Sequence, residues 1–240
     1  MKLLPILLAL TIFSACTEKK ANTSPTKDPG PPKADPKEPE KTTNVVIEGD
    51  LGTIDEALVR KKFAEARDEV SACVHKGVED AEYVGGDFHF TFRIALDGTV
   101  KTLDMRSNVG HRDIETCLYQ FAKKLQFPKP EGGEAQVSFS WSFNATMDVQ
   151  HQWGQVNLGS AWSKLRSKLI RCSDGTNEAP SEYEVVFFVL PDAELGPVGV
   201  SSGKTLPSDK FYKCVRNAIK DAKRPDPLGA VARVALSIAP

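Results

Sequence analysis

The residues of this chain whose types could do chemistry are its cysteines, its histidines and one Ser-x-x-Lys run. Cys73, Cys117, Cys172 and Cys214 could form disulfides, hold a metal or act as a redox pair. Metal sites favour sets of Cys or His a few residues apart, and redox pairs favour Cys-x-x-Cys; beyond the single Cys73-Val-His75 neighbourhood, neither spacing occurs. His75, His89, His111 and His151 are scattered, and His89 alternates with Phe88 and Phe90, so it faces away from their apolar side. Ser201-Ser-Gly-Lys204 has the spacing of a lysine-assisted serine nucleophile, but Lys204-Thr205-Leu206 lacks the glycine of a Lys-Thr-Gly companion. The run from Gly199 to Thr205 is one residue short of a phosphate-cradling loop. The zinc-binding pattern His-Glu-x-x-His is not present. The expectation is a protein that is not an enzyme, with no cofactor, no metal and no small-molecule substrate.

The elements that carry the cysteines occur twice. "CLYQFAKKLQFPKP" from Cys117 and "CVRNAIKDAKRPDP" from Cys214 share a Cys, ten residues, Pro, one residue, Pro skeleton. Residues 117–143 and 214–240 align without a gap, and eight of the 27 positions are identical. Chance would give about two, so duplication explains the skeleton. In the first copy Val59, Phe63, Ala66, Val70 and Cys73 mark one helix face. Phe88, Phe90, Phe92, Ile94 and Leu96 alternate as a strand, Asp97-Gly98 signals a two-residue turn, and a second strand runs from about Thr99 to Arg106. Ile114, Cys117, Leu118, Phe121 and Leu125 mark a second helix, which Pro128 and Pro130 are expected to end. Val137, Phe139, Trp141 and Phe143 alternate in a last strand. Trp162, Leu165, Leu169 and Cys172, then "SEYEVVFFVL", "GPVGVSS", the Phe211–Ile219 stripe and "AVARVALSI", repeat the order.

The fold class expected is therefore α+β: two similar modules, each helix, β-hairpin, helix, strand, with a small antiparallel sheet packed on helices. The boundaries are 1–16 for a signal segment, 17–45 for a tether, 46–147 for the first module and 148–240 for the second. Because each module must close alone, the repeat selects Cys73–Cys117 and Cys172–Cys214 among the three possible pairings, with both second-helix cysteines on a buried face.

The N-terminus reads as an address. Lys2 precedes an apolar run from Leu3 to Phe13, about 11 residues and too short to span a bilayer. Ser14-Ala15-Cys16 resembles a bacterial lipobox, apart from Phe13 where Leu is usual. The resemblance implies lipidation at Cys16, hence a membrane partner, and Thr17, which is not Asp, points to the outer membrane facing the periplasm. Pro recurs at 25, 29, 31, 32, 36 and 39 among charges, with almost nothing apolar to bury. Such a tether reaches on the order of 80 Å in polyproline II; docking of a partner that reads Pro motifs is the alternative. Lys and Arg total 31 against 32 Asp and Glu, so no basic excess points to nucleic acid.

"VSAC", "FRIALDGTVKTLDMRS" and "IETCLYQFAKKLQFPKPEGGEAQVSFSWSF", behind a Pro-Lys/Pro-Glu tether, resemble the TonB C-terminal domain, and more closely its AgmX/PglI-type relatives in envelope and gliding-motility proteins. The resemblance covers residues 52–143; the second copy lacks Asp-Gly and the aromatic last strand. It implies no catalytic residues and an envelope protein partner bound by strand addition along the last strand. Here that is Gln136 to Phe143, with Gln136, Ser138, Ser140 and Ser142 as the partner-binding edge, and Arg233 to Ile238 in the second copy. A lipid address stands where TonB has a transmembrane helix, so energy transduction is not expected. The alternative is an architectural component of an envelope or gliding-motility complex.

Overall fold

Alternating phenylalanines build the first sheet and a continuous apolar run builds the second, and that difference decides how the modules meet. The computed structural model describes residues 45–48, 52–79, 81–147, 149, 151–174 and 179–239, with backbone alone for 45–48. Cys16, the rest of the signal segment and the tether up to residue 44 lie outside the described residues. The fold is α+β, two small sheets packed on helices.

The first module runs β1 (Val45–Glu48), α1 (Glu56–Glu65), α2 (Arg67–Val78), β2 (Gly86–Ile94), β3 (Val100–Ser107), α3 (Arg112–Ala122) and β4 (Ala135–Phe143). Its strands are antiparallel in the order β1-β4-β2-β3. Period-two alternation puts Phe88, Phe90, Phe92 and Ile94 on one face, where Val59, Phe63, Ile114 and Leu118 of the helices cover them. Phe63 stacks on Phe139 at 3.8 Å between centroids and meets Phe127 edge-on at 5.6 Å. Asp55 caps α1 by accepting from the Leu58 amide at 3.1 Å.

Three sequence expectations change in detail. The first helix, expected as one stripe from Val59 to Cys73, is two, α1 and α2, which meet at Ala66. The hairpin loop holds three residues, Leu96 to Gly98, closed by the Ala95 amide on the Thr99 carbonyl, with Gly98 at φ +86°. Only a residue without a Cβ adopts that conformation cheaply, so the glycine, more than the Asp-Gly pair, sets the turn. The second helix ends at Ala122, well before Pro128. The hairpin turn draws the chain off the helix: the Phe127 amide donates to the Gly98 carbonyl at 2.9 Å, and Gln126 bridges Thr99. Pro128 and Pro130 then belong to the extended stretch that feeds β4.

The second module runs β5 (His151–Trp153), α4 (Ala161–Asp174), β6 (Tyr183–Val189), β7 (Leu195–Ser201), α5 (Asp209–Lys220) and β8 (Ala232–Ile238), ordered β5-β8-β6-β7. Only β5 pairs in parallel. Arg224 stands where the first copy has Phe127. It donates to the Ile219 carbonyl at 2.7 Å, closing the end of α5, and to the Ala193 carbonyl at 3.1 Å in the β6–β7 connection. A hydrogen-bonding clamp thus replaces the aromatic anchor.

Both disulfides form as the repeat requires. Cys73 bonds Cys117 across 5.6 Å between Cα atoms, and Cys172 bonds Cys214 across 5.8 Å. Each ties the two helices on one sheet face. The second-helix cysteines, however, do not sit on its buried face: Cys117 is half-buried and Cys214 exposed. Each lies at the margin of the apolar stripe, because its partner is the neighbouring helix and not the sheet.

Candidate functional site

The edge expected to receive a partner strand is already covered. β1 pairs with β4 from Val45 opposite Phe139 to Glu48 opposite Gln136. The backbone edge at Gln136 and Ser138 is therefore used by the chain's own entering segment, and Ser140 and Ser142 lie beyond the last described pair. In the second module β5 covers Ala232 to Val234, including Arg233. The physical reason is common to both copies: an edge left open is a template for indiscriminate pairing, and a short strand blunts it. The four named β4 residues remain of interest through their side chains, which point to the face opposite the core.

That face is where the two copies diverge. In the first, Asp87, His89, Thr91 and Arg93 of β2 alternate outward. His89 Nδ1 lies 2.7 Å from Ser140 Oγ, Thr91 Oγ1 lies 3.4 Å from Ser138 Oγ, and Ser142 donates to Asp87 at 2.6 Å. Arg93 Nε donates to Glu134 at 3.0 Å, beside Lys101. With Thr102, Asp104 and Arg106 of β3 this makes a polar, solvent-facing platform among the described residues. By strand register, the second copy places Glu184, Val186 and Phe188 where the first has His89, Thr91 and Arg93. Its face is apolar, and the first module sits on it.

The seat is close. Phe188 is fully buried, belongs to the first module's core and meets the Tyr83 ring at 5.1 Å. Gly110, at φ +76°, lies so near Val186 that a Cβ there would fall 2.6 Å from its Cγ1. A Cβ on Gly199 would fall 2.4 Å from Glu115 Oε1 and 2.6 Å from the Gly110 Cα. Edge strands β3 and β7 also meet: the Met105 amide donates to the Lys204 carbonyl and the Ser107 amide to Ser201 Oγ, both at 3.0 Å. Ser201 and Lys204, the candidate nucleophile and its helper, are thus parts of the joint. Arg112 donates to the Pro207 carbonyl at 2.8 Å and to Asp209 at 3.0 Å, and lies 4.9 Å from the Tyr212 ring centroid.

Glu115 is the carboxyl at the centre, 1 % exposed. Ser107 Oγ donates to its Oε1 at 3.1 Å and the Val200 amide to its Oε2 at 3.3 Å. Burial pushes its pKa up to about 7, against the opposing pull of Ser107, the Val200 amide, Arg112 and the Gly110 amide. Nothing in the first copy marked Glu115, since it lies next to the apolar stripe of α3 and looks solvent-facing. Phe188 could have been found: the unbroken run from Val185 to Leu190 is the pattern of a strand buried on both faces.

A groove of about 590 Å³ opens beside the joint, lined by Tyr83, Asp87, Asn108, Phe143, Gln152 and Arg233 among others. Its ionic groups have protein partners: Asp87 accepts from Asn108 Nδ2 at 3.0 Å and Arg233 donates to the Asn108 carbonyl. Among the described residues no group of three or more His, Cys, Asp and Glu could hold a metal, and no helix is long and apolar enough to cross a membrane. No family model, no curated protein and no solved structure matches the chain.

Proposed function

We propose that this chain is a non-enzymatic lipoprotein of the cell envelope, anchored through Cys16 to the outer membrane. On this reading its two modules act as one protein-binding head held off the membrane by the tether, and the partner is another envelope protein. The observation that carries the reading is the unequal treatment of two equivalent sheet faces. One is apolar and spent on holding the modules together; the other keeps a row of polar side chains toward solvent. Recognition then runs through side chains of the β2–β4 face, including Ser138, Ser140 and Ser142, and not through main-chain pairing along β4. The TonB-type resemblance supports a binding module and the lipobox supports the location.

A photo-crosslinker at His89 in intact cells is expected to give a discrete protein adduct. The same probe at Ser237, the exposed counterpart of Ser140 in the second copy, is expected to give none. No adduct from His89, or equal adducts from both positions, would contradict the reading. The architectural alternative, favoured by the buried joint, predicts adducts from both.

A further inference from the structure

The three buried polar residues among those described are Ser107, Glu115 and Ser201, and all three lie where the modules meet. A contact meant only to be permanent needs no carboxyl there; an apolar side chain of similar volume does as well or better. No disulfide spans the contact, while each module keeps its own bridge and its own core. The joint is therefore the part of the head that can part without unfolding either half.

We propose that the joint is a proton-sensitive latch with Glu115 as its sensor, and that unlatching uncovers the edges of β3 and β7 and the apolar outer face of β6. The surroundings of Glu115 support one titration there. β3 presents Ser107 and β7 presents the Val200 amide and Ser201, none of which titrates in the working range. From α5 comes Tyr212, whose phenol burial pushes up. On α3 itself stand Arg112, which attracts the ionised carboxyl, and Asp113; His111 precedes the helix and is held low by burial. The docked state holds Glu115 as the neutral acid up to about pH 7, whereas an exposed Glu ionises near 4.5. Docking strength contributed by this proton is full below about 4.5 and is lost as pH rises through about 7. What the uncovered edges would bind rests on the binding function proposed above; the latch itself is a property of the chain alone.

Hydrogen exchange on the whole folded protein tests it without any partner. From about pH 5 to about pH 8, after correction for intrinsic rates, protection at the Met105, Ser107 and Val200 amides is expected to fall roughly 50-fold. Amides between β2 and β4 are expected to hold steady. In Glu115→Gln the fall at the joint is expected to vanish. The wild-type series stands even if that variant folds poorly. An unchanged joint across the series, a loss shared equally by the β2–β4 amides, or a slope that survives in Glu115→Gln would overturn the latch. None of these outcomes bears on whether the β2–β4 face captures a partner.

Discussion

Replacing Cys73 and Cys117 together with alanine is expected to lower stability by about 4 kcal/mol. The bridge closes a loop over a sequence separation of 44, so its loss returns that much chain entropy to the unfolded state. Native contacts change little: Cys73 packs on an apolar stripe that alanine continues, and α2 and α3 stay on the sheet through Val74, Ile114 and Leu118. In a unit of this size the loss corresponds to roughly 8–16 °C in Tm. Thermal and denaturant unfolding of the double variant measure it. A loss under about 1 kcal/mol would mean that the unfolded chain is already constrained by other means.

Phe188→Ala is expected to cost about 3–4 kcal/mol, and to cost it at the joint. Phe188 is fully buried, yet it points out of its own module and into the core of the other, against Tyr83. Truncation leaves a cavity between two backbones that already touch at Gly110 and Gly199 and cannot close further. The second module's own core, built on Phe187, Phe211, Val215 and Val234, is left whole. One cooperative denaturant transition in the wild type is therefore expected to become two. A single transition with a loss below about 1 kcal/mol would show that the seat contributes little.

Much of the fold was written in the chain, for identifiable reasons. Period-two phenylalanines and a positive-φ glycine need no tertiary help to specify a hairpin. The duplicated skeleton reduced the cysteine pairings to one. What escaped were the short covering strands and the features made by the partner half. β1 and β5 span four and three residues, too few for any period to show, and their covering of β4 and β8 removed the edge expected at Gln136 and Ser138. Glu115 looks like a solvated helix position until a second module lies over it. The continuous run from Val185 to Leu190 did announce two-sided burial, but periodicity does not say what supplies the second layer. Of the candidate site, the serines were rightly placed on β4, while the surface they belong to is set by side-chain alternation and not by backbone pairing.

The central claim is that two stapled modules are held as one head by a buried, non-covalent seat, and the described residues of both belong to one compact unit. A protease site placed between Met147 and Gln150, cut in the folded protein, tests this most directly. At about pH 5, where the Glu115 proton is retained, the cleaved halves are expected to elute together at the size of the uncut chain, and to separate only in denaturant. Halves that elute apart at that pH without denaturant, each with its disulfide intact, would contradict the account.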